Sequence, residues 1–272
     1  MTPEHDSFRW AIAAGLLSIA LSLASAQTPS PALLVLNKEG SLAIEVDGEL
    51  AATTTLICYG RRLAWIGMVL TKLSYRGRGF ARRLLTQALT QADEMRMETV
   101  KLDATDQGRT LYEKIGFRFE QAVERWTRPG STGSSSNRPL GEAHPAEDWR
   151  GADQRAFGAD RSKLLARLAQ RGQPLLFLDG SYLLTRPGRQ TRNLGPSVCE
   201  TPTTARALME RVLQIAGVRD CSWDLLPRNS NATAIAHDLA FTPTRHLHRM
   251  VRGKDLRAKD EMIYAIAGFE LG

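Results

Sequence analysis

Apolar positions recur along this chain with two different periods, and the switches between them mark out its elements. From Ala81 onward they fall at Leu84, Leu85, Ala88, Leu89 and Ala92, with Arg82, Arg83, Gln87 and Gln91 between them. That i, i+3, i+4, i+7 spacing gathers one apolar stripe, so it predicts an amphipathic helix starting near residue 80. Just upstream, "RLAWIGMVL" (62–70) is an almost unbroken apolar run bounded by turn residues, which predicts a buried strand. "SLAIEVDGELAATTTLICYG" (41–60) predicts two strands joined at Asp47-Gly48, a dipeptide suited to a two-residue hairpin. "VKLDAT" (100–105) predicts another strand, and "TLYEKIGFR" (110–118) a helix and its closing turn. Ahead of all these, "TPSPALLVLN" (28–37) predicts a short helix with Ser30 as N-cap and Pro31 at its first position.

After Trp126 the pattern breaks. Residues 128–148 are rich in Gly, Ser and Pro and lack apolar periodicity, which predicts a flexible linker with a second domain beginning near Trp149. That second domain faintly repeats the first. When "ETPTTARALMERVL" (200–213) is set under "RGRGFARRLLTQAL" (76–89), Ala205 meets Ala81, and Phe241 then lies as far beyond Ala205 as Phe117 lies beyond Ala81. The expected organisation is therefore 1–127, a linker over 128–148, and a smaller repeat-like domain over 149–272. The order of elements predicts an α/β (α+β) fold, a mixed central sheet flanked by helices.

Charge adds a direction. The 272 residues include 36 Lys and Arg against 29 Asp and Glu, a formal net charge of +7. Nucleic acid, acidic lipid and an anionic cofactor all suit such an excess. Basic residues are not interleaved with aromatics as a single-strand nucleic-acid platform requires; instead Arg76, Arg78, Arg82 and Arg83 crowd one short stretch. The three cysteines, Cys58, Cys199 and Cys221, are odd in number and widely spaced, which fits neither a disulfide framework nor a zinc site, so they are expected as reduced core residues. Residues 10–26, "WAIAAGLLSIALSLASA", imitate the apolar core of a secretory signal, yet Glu4 and Asp6 stand before it against Arg9 alone. We read them as the first helix, with a cleaved signal as the open alternative.

The crowded arginines belong to "YRGRGFARRLL" (75–85), a Gly-rich turn between a predicted strand and a predicted helix. Glycines at alternate positions allow positive φ and bare backbone N–H groups, and the helix start adds its dipole, so the stretch can cradle a phosphate. A Walker A loop is excluded, because no Lys-Ser or Lys-Thr follows Gly79. A dinucleotide fingerprint lacks its third glycine, since position 82 is Arg. The arrangement Arg76-x-x-Gly79-x-Ala81 instead resembles the diphosphate loop of the GNAT superfamily of N-acetyltransferases, whose pattern is Gln/Arg-x-x-Gly-x-Gly/Ala. "LYEKIGF" (111–117), at the expected distance, resembles that family's next helix and turn, and the likeness covers roughly residues 40–127.

The resemblance implies acetyl-CoA as acyl donor, no metal, and direct attack by an amine within a ternary complex. It implies diphosphate contacts from Arg76, Gly77, Arg78, Gly79, Phe80 and Ala81, and pantetheine hydrogen-bonded along the backbone near Val69 and Leu70. Tyr112 would protonate the leaving thiolate, and Asp103 is the candidate base in the first domain, with Glu45 or a water chain as alternatives. The acceptor would be a small-molecule amine or a lysine-like group, with no nucleic acid or membrane as partner. A CoA thioester also favours the cytoplasm. In the second half Glu200 replaces Arg76 and Thr203 replaces Gly79, so it resembles a degenerate GNAT unit that has lost the phosphate loop. An inactive CoA-binding sensor or scaffold is the alternative to an enzyme. His246 and His248, two apart on a predicted strand, would share a face without forming a metal set.

Overall fold

The computed structural model describes residues 32–35, 40–130, 149–171, 175–188, 191–216 and 219–272, so residues 10–26 and most of the expected linker lie outside the described residues. The chain forms two compact units, Met1–Leu102 and Asp103–Gly272.

Among the described residues of the first unit the strands run in the order β1 (Ala32–Val35), β2 (Ser41–Val46), β3 (Glu49–Tyr59), β4 (Leu63–Thr71) and β5 (Thr99–Ala104), the last crossing the unit boundary. Within the span 28–37 expected as a helix, the described residues 32–35 form the strand β1, which pairs antiparallel with β2 from Ala32↔Glu45 to Val35↔Leu42. Four successive apolar residues carry no period that separates helix from strand, and the open edge of β2 decides the outcome. Asp47 (φ 54°) and Gly48 (φ 76°) are both left-handed, the two-residue turn that matches the twist of β2 and β3. Helix α1 (Phe80–Glu94) buries Leu84, Leu85, Ala88, Leu89 and Ala92 against β2, β3 and β4, as its stripe predicts. Each fully buried leucine there contributes about 1.5–3 kcal/mol. Cys58, expected in the core, is exposed, whereas Cys199 and Cys221 are buried.

The second unit orders its strands β11 (Thr242–Gly253), β6 (Arg118–Arg128), β10 (Asp220–Leu225), β9 (Thr191–Val198), β8 (Ser181–Pro187) and β7 (Leu175–Leu178), with β12 (Ile263–Ala265) on β9. Its helices are α2 (Asp106–Glu113), α3 (Trp149–Phe157), α4 (Ser162–Arg171), α5 (Pro202–Ala216) and α6 (Ser230–Asp238). Trp126, Trp223, Leu208, Met209 and Phe241 join one core cluster, and Val123, Trp149, Tyr182 and Leu247 another.

The repeat seen in the sequence is repeated in the backbone of this unit. Thr105 accepts from the Gly108 N–H at the start of α2, and Asn229 accepts from the Ala232 N–H at the start of α6. Both helices end alike: Phe117 N–H donates to the Tyr112 carbonyl and Phe241 N–H to that of Ala236, with Gly116 (φ 92°) and Ala240 (φ 61°) left-handed between. The strands that follow, β6 and β11, lie side by side and antiparallel. Here the compact division departs from the expected one at residue 127. Strand β6 pairs with β10 on one edge and β11 on the other, so its contacts place it with the carboxy-terminal residues, and that unit is the larger. Two bidentate ion pairs fasten these strands: Arg125 of β6 holds Asp224 of β10 at 2.6 and 2.7 Å, and Arg249 of β11 holds Asp103 at 2.9 and 3.0 Å.

Candidate functional site

The Gly-rich stretch forms a cradle at the start of α1. Gly77 and Gly79 both stand at φ 78°, and a Cβ added to either would meet nothing within 4 Å. Gly79 is the N-cap, and the first backbone bond of the helix runs from the Arg83 N–H to its carbonyl at 3.0 Å. Among the described residues no side chain caps this end, and no acidic residue lies in its first turn. The opening N–H groups and the positive end of the dipole are therefore not neutralised locally, the condition for receiving an anion. Thr105, Thr201 and Asn229 cap α2, α5 and α6 with their side chains.

Side chains on β3 and the preceding turn hold the cradle. The Tyr75 hydroxyl donates to Glu49 Oε2 at 2.8 Å, Lys72 pairs with the same carboxylate, and the Arg78 guanidinium stacks 5.0 Å over the Tyr75 ring. Lys72 and Tyr75 draw the Glu49 carboxyl below its ordinary range, and Glu49 pushes the Tyr75 phenol up. A groove of about 520 Å³ opens along α1 beside Gly79, lined by Arg82, Arg83, Thr86 and Gln87. Its basic rim suits a phosphorylated ligand.

Strand β4 supplies a second feature. It pairs in parallel with β5 only from Leu63↔Thr99 to Trp65↔Lys101, then runs on to Thr71 without that partner. Opposite β3 the register jumps from Thr55↔Gly67 to Thr53↔Leu70, a bulge centred on Met68 and Val69 with Met68 at φ 51°. Thr53 and Thr54 donate their hydroxyls to the Met68 and Gly67 carbonyls at 3.0 and 3.2 Å, pinning the bulge. A bulge re-aims the backbone that follows it, here Val69 and Leu70.

In the second unit Tyr112 sits in α2 with its ring 8% exposed and edge-on to Phe117 at 6.1 Å. Burial pushes its phenol up to about 12, so it carries its proton at neutral pH. Among the described residues no group hydrogen-bonds this hydroxyl. Asp103 is different from what the sequence suggested. Its side chain is wholly buried, and both carboxylate oxygens accept from Arg249, itself 4% exposed, so the candidate base is committed to an internal ion pair. Burial pushes this carboxyl up while Arg249 pulls it back.

His246 and His248 do share a face of β11, their rings 5.1 Å apart, and each meets a carboxylate: His246 Nδ1 lies 3.6 Å from Glu124, His248 Nε2 2.5 Å from Asp106. Among the described residues no group of three or more His, Cys, Asp or Glu is arranged to hold a metal ion. No helix among them is long and apolar enough to cross a membrane.

Residues 16–117 match the acetyltransferase (GNAT) family model, and residues 150–265 match a second acetyltransferase (GNAT) domain model. The chain belongs to the GNAT family, with two domains in tandem. This GNAT protein is 32% identical over 127 residues to the uncharacterized N-acetyltransferase YitH of Bacillus subtilis, a match that takes in 45% of the chain and 44% of that relative's length. Among solved structures it resembles a candidate acetyltransferase from Pyrococcus horikoshii, with a TM-score of 0.74 at 24% identity over 86% of this chain and 80% of that one. A GCN5-related N-acetyltransferase from Sphaerobacter thermophilus follows at a TM-score of 0.57 and 16% identity, over 81% and 82% of the two chains. Those likenesses are of fold.

The sequence concealed several parts of this arrangement. The Met68 bulge left no mark in an apolar run, and the threonines pinning it read as ordinary strand residues. The Glu49–Tyr75 bond joins residues 26 positions apart, which no local pattern shows. Arg249 is 146 positions from Asp103, and only the folded chain brings the two together.

Proposed function

We propose that this GNAT protein transfers the acetyl group of acetyl-CoA to a primary amine by direct attack in a ternary complex. The observation that carries the proposal is the start of α1, where the left-handed Gly77 and Gly79 leave space for an anion and Arg76 and Arg78 stand alongside. Backbone N–H groups from Gly77 to Ala81 would bind the phosphate oxygens. The basic groove beside Gly79 would receive the remainder of the nucleotide. Pantetheine would lie along the unpaired stretch of β4, hydrogen-bonded near Val69 and Leu70. A strand N–H there would also stabilise the oxyanion formed when the amine adds to the thioester carbonyl.

Collapse of that intermediate breaks the C–S bond, and the thiolate takes the Tyr112 proton, which the phenolate regains from water; burial keeps the phenol protonated beforehand and makes it a weaker acid. The acceptor attacks as free amine, its proton passing to water, because Asp103 is closed off by Arg249. The acceptor is a small-molecule amine or a lysine-like group met in the cytoplasm. The ancestral division is 1–127 and 149–272 about a linker at 128–148, in keeping with family matches that end at 117 and resume at 150.

An acetyl-CoA turnover screen against an amine library, with Gly79→Glu as the blank, tests the proposal. Turnover that Gly79→Glu abolishes supports it. The engagement of Asp103 favours one second reading, a CoA-binding sensor, which predicts donor binding without turnover on any amine.

A further inference from the structure

Both domains contain a strand, a helix and a parallel strand that part company after a few paired residues. In the first, β4 leaves β5 after Trp65↔Lys101. In the second, β9 pairs with β10 from Thr191↔Asp220 to Leu194↔Trp223, and residues 195–198 then run on without β10. The first opening is the proposed donor slot. The second is already filled.

Strand β12 runs antiparallel to the diverging end of β9, with Ile263↔Val198 and Ala265↔Ser197 paired. The Cys199 N–H donates to the Met262 carbonyl at 3.0 Å, and on the opposite side the Ile266 N–H donates to the Asp224 carbonyl of β10 at 2.9 Å. Side chains complete the seal, since Trp223 Nε1–H donates to the Tyr264 carbonyl at 2.7 Å and Asn229 Nδ2–H to that of Ile263 at 3.1 Å. Residues 263–267 are each no more than 3% exposed. Gly195 (φ 134°) admits the segment, because a Cβ there would lie 2.3 Å from the Ile266 carbonyl oxygen.

The other donor contacts are missing from the same half. Only Cys199, Glu200 and Thr201 separate β9 from α5, where eight residues separate β4 from α1, and Thr201 caps α5 through the Thr204 N–H at 3.1 Å. The start of α5 is thus closed by its own Thr201. Ala236 stands where the first half has Tyr112, by the shared helix ending.

We infer that residues 262–267 occupy, as a built-in strand, the slot of the second GNAT domain that corresponds to the donor slot of the first. The comparison rests on reading the first slot as the acetyl-CoA site, but the occupancy itself does not. Backbone groups that pantetheine would have bonded are met by the chain's own peptide groups, so the second domain excludes the donor and the chain holds one acetyl-CoA.

Hydrogen exchange on the full chain, with and without saturating acetyl-CoA, tests this. In the free protein the 262–267 amides should exchange about 100-fold or more slowly than those of the largely exposed 254–259 segment. Acetyl-CoA should slow exchange over 66–83 and leave 195–203 and 262–267 unchanged. Gly195→Ala should speed exchange in 262–267 by about 10-fold or more without altering donor affinity. Exchange in wild-type 262–267 as fast as in 254–259, or slowing of 195–203 by acetyl-CoA, would overturn the inference. Slow exchange in 262–267 together with no response over 66–83 would uphold it and defeat the donor assignment instead.

Discussion

Replacing Arg249 with Met removes one half of a pair in which Asp103 is 0% exposed and Arg249 4%. Two charge-assisted hydrogen bonds of 2.9 and 3.0 Å vanish, and the carboxylate is left buried with no water to replace them. Breaking such a pair from one side costs about 3–5 kcal/mol. For a chain of this size each kcal/mol lowers the melting temperature by roughly 2–4 °C, so the expected fall is about 6–20 °C. Arg125→Met is the internal comparison. Its side chain is 31% exposed and water can reach the vacated place, so about 1–3 kcal/mol is expected. The pH dependence has a definite sign. Burial already raises the Asp103 carboxyl, and Arg249 opposes that rise. Without Arg249 the folded-state value climbs further above the unfolded one, so the folded variant takes up a proton first. Its deficit relative to wild type should therefore shrink as pH falls from 7 through the folded value towards the unfolded one near 4. Urea unfolding followed by tryptophan fluorescence at pH 7 and pH 5 measures both effects. Adding Asp103→Leu to Arg249→Met should restore stability to within about 1 kcal/mol of wild type, since no unpaired charge remains. A loss under about 1 kcal/mol for Arg249→Met, or one equal at both pH values, would refute this account of the pair. So would Asp103→Asn that keeps its stability but loses turnover, because Asp103 would then be the base.

Tyr112→Phe keeps the ring packed on Phe117 and removes only the hydroxyl, so acetyl-CoA affinity should hold while kcat falls about 10²-fold, read by steady-state kinetics. Because burial holds the phenol at about 12, ultraviolet titration of wild type against Tyr112→Phe should show no ionisation of this tyrosine below pH 10, and no alkaline loss of kcat from it in that range. A fragment of residues 1–130 would strip β6 of β10 and β11 on both edges, so size-exclusion chromatography should find it aggregated rather than as a free donor-binding domain.

Local chemistry made part of the candidate site legible. Alternate glycines before an amphipathic stripe announce an anion cradle, and Asp47-Gly48 announces its hairpin, because both depend on backbone conformations that few residues tolerate. The repeat was visible because the helix pattern of 200–213 matches that of 76–89 and Phe241 keeps the spacing of Phe117; the matching caps at Thr105 and Asn229 emerged only in the fold. What stayed hidden depends on partners distant in sequence. Asp103 read as an available strand carboxylate until the fold set Arg249 of β11 against it. Residues 28–37 read as a helix because Ser30 and Pro31 satisfy a helix start, while the edge of β2 that captures Ala32–Val35 lies beyond any local window. The filling of the second slot by β12 joins segments more than 60 residues apart, and no periodicity records it.

Calorimetric titration of the full chain with acetyl-CoA, beside the same titration of Gly79→Glu, tests the central claim most directly. Glu at φ 78° costs about 1–2 kcal/mol of backbone strain and meets open space, so the variant should fold with an unchanged circular dichroism spectrum. The account predicts one donor per chain for wild type and no measurable binding for Gly79→Glu, whose carboxylate would face the diphosphate at the start of α1. Unchanged affinity in a folded Gly79→Glu protein, or no binding by wild type, would contradict it.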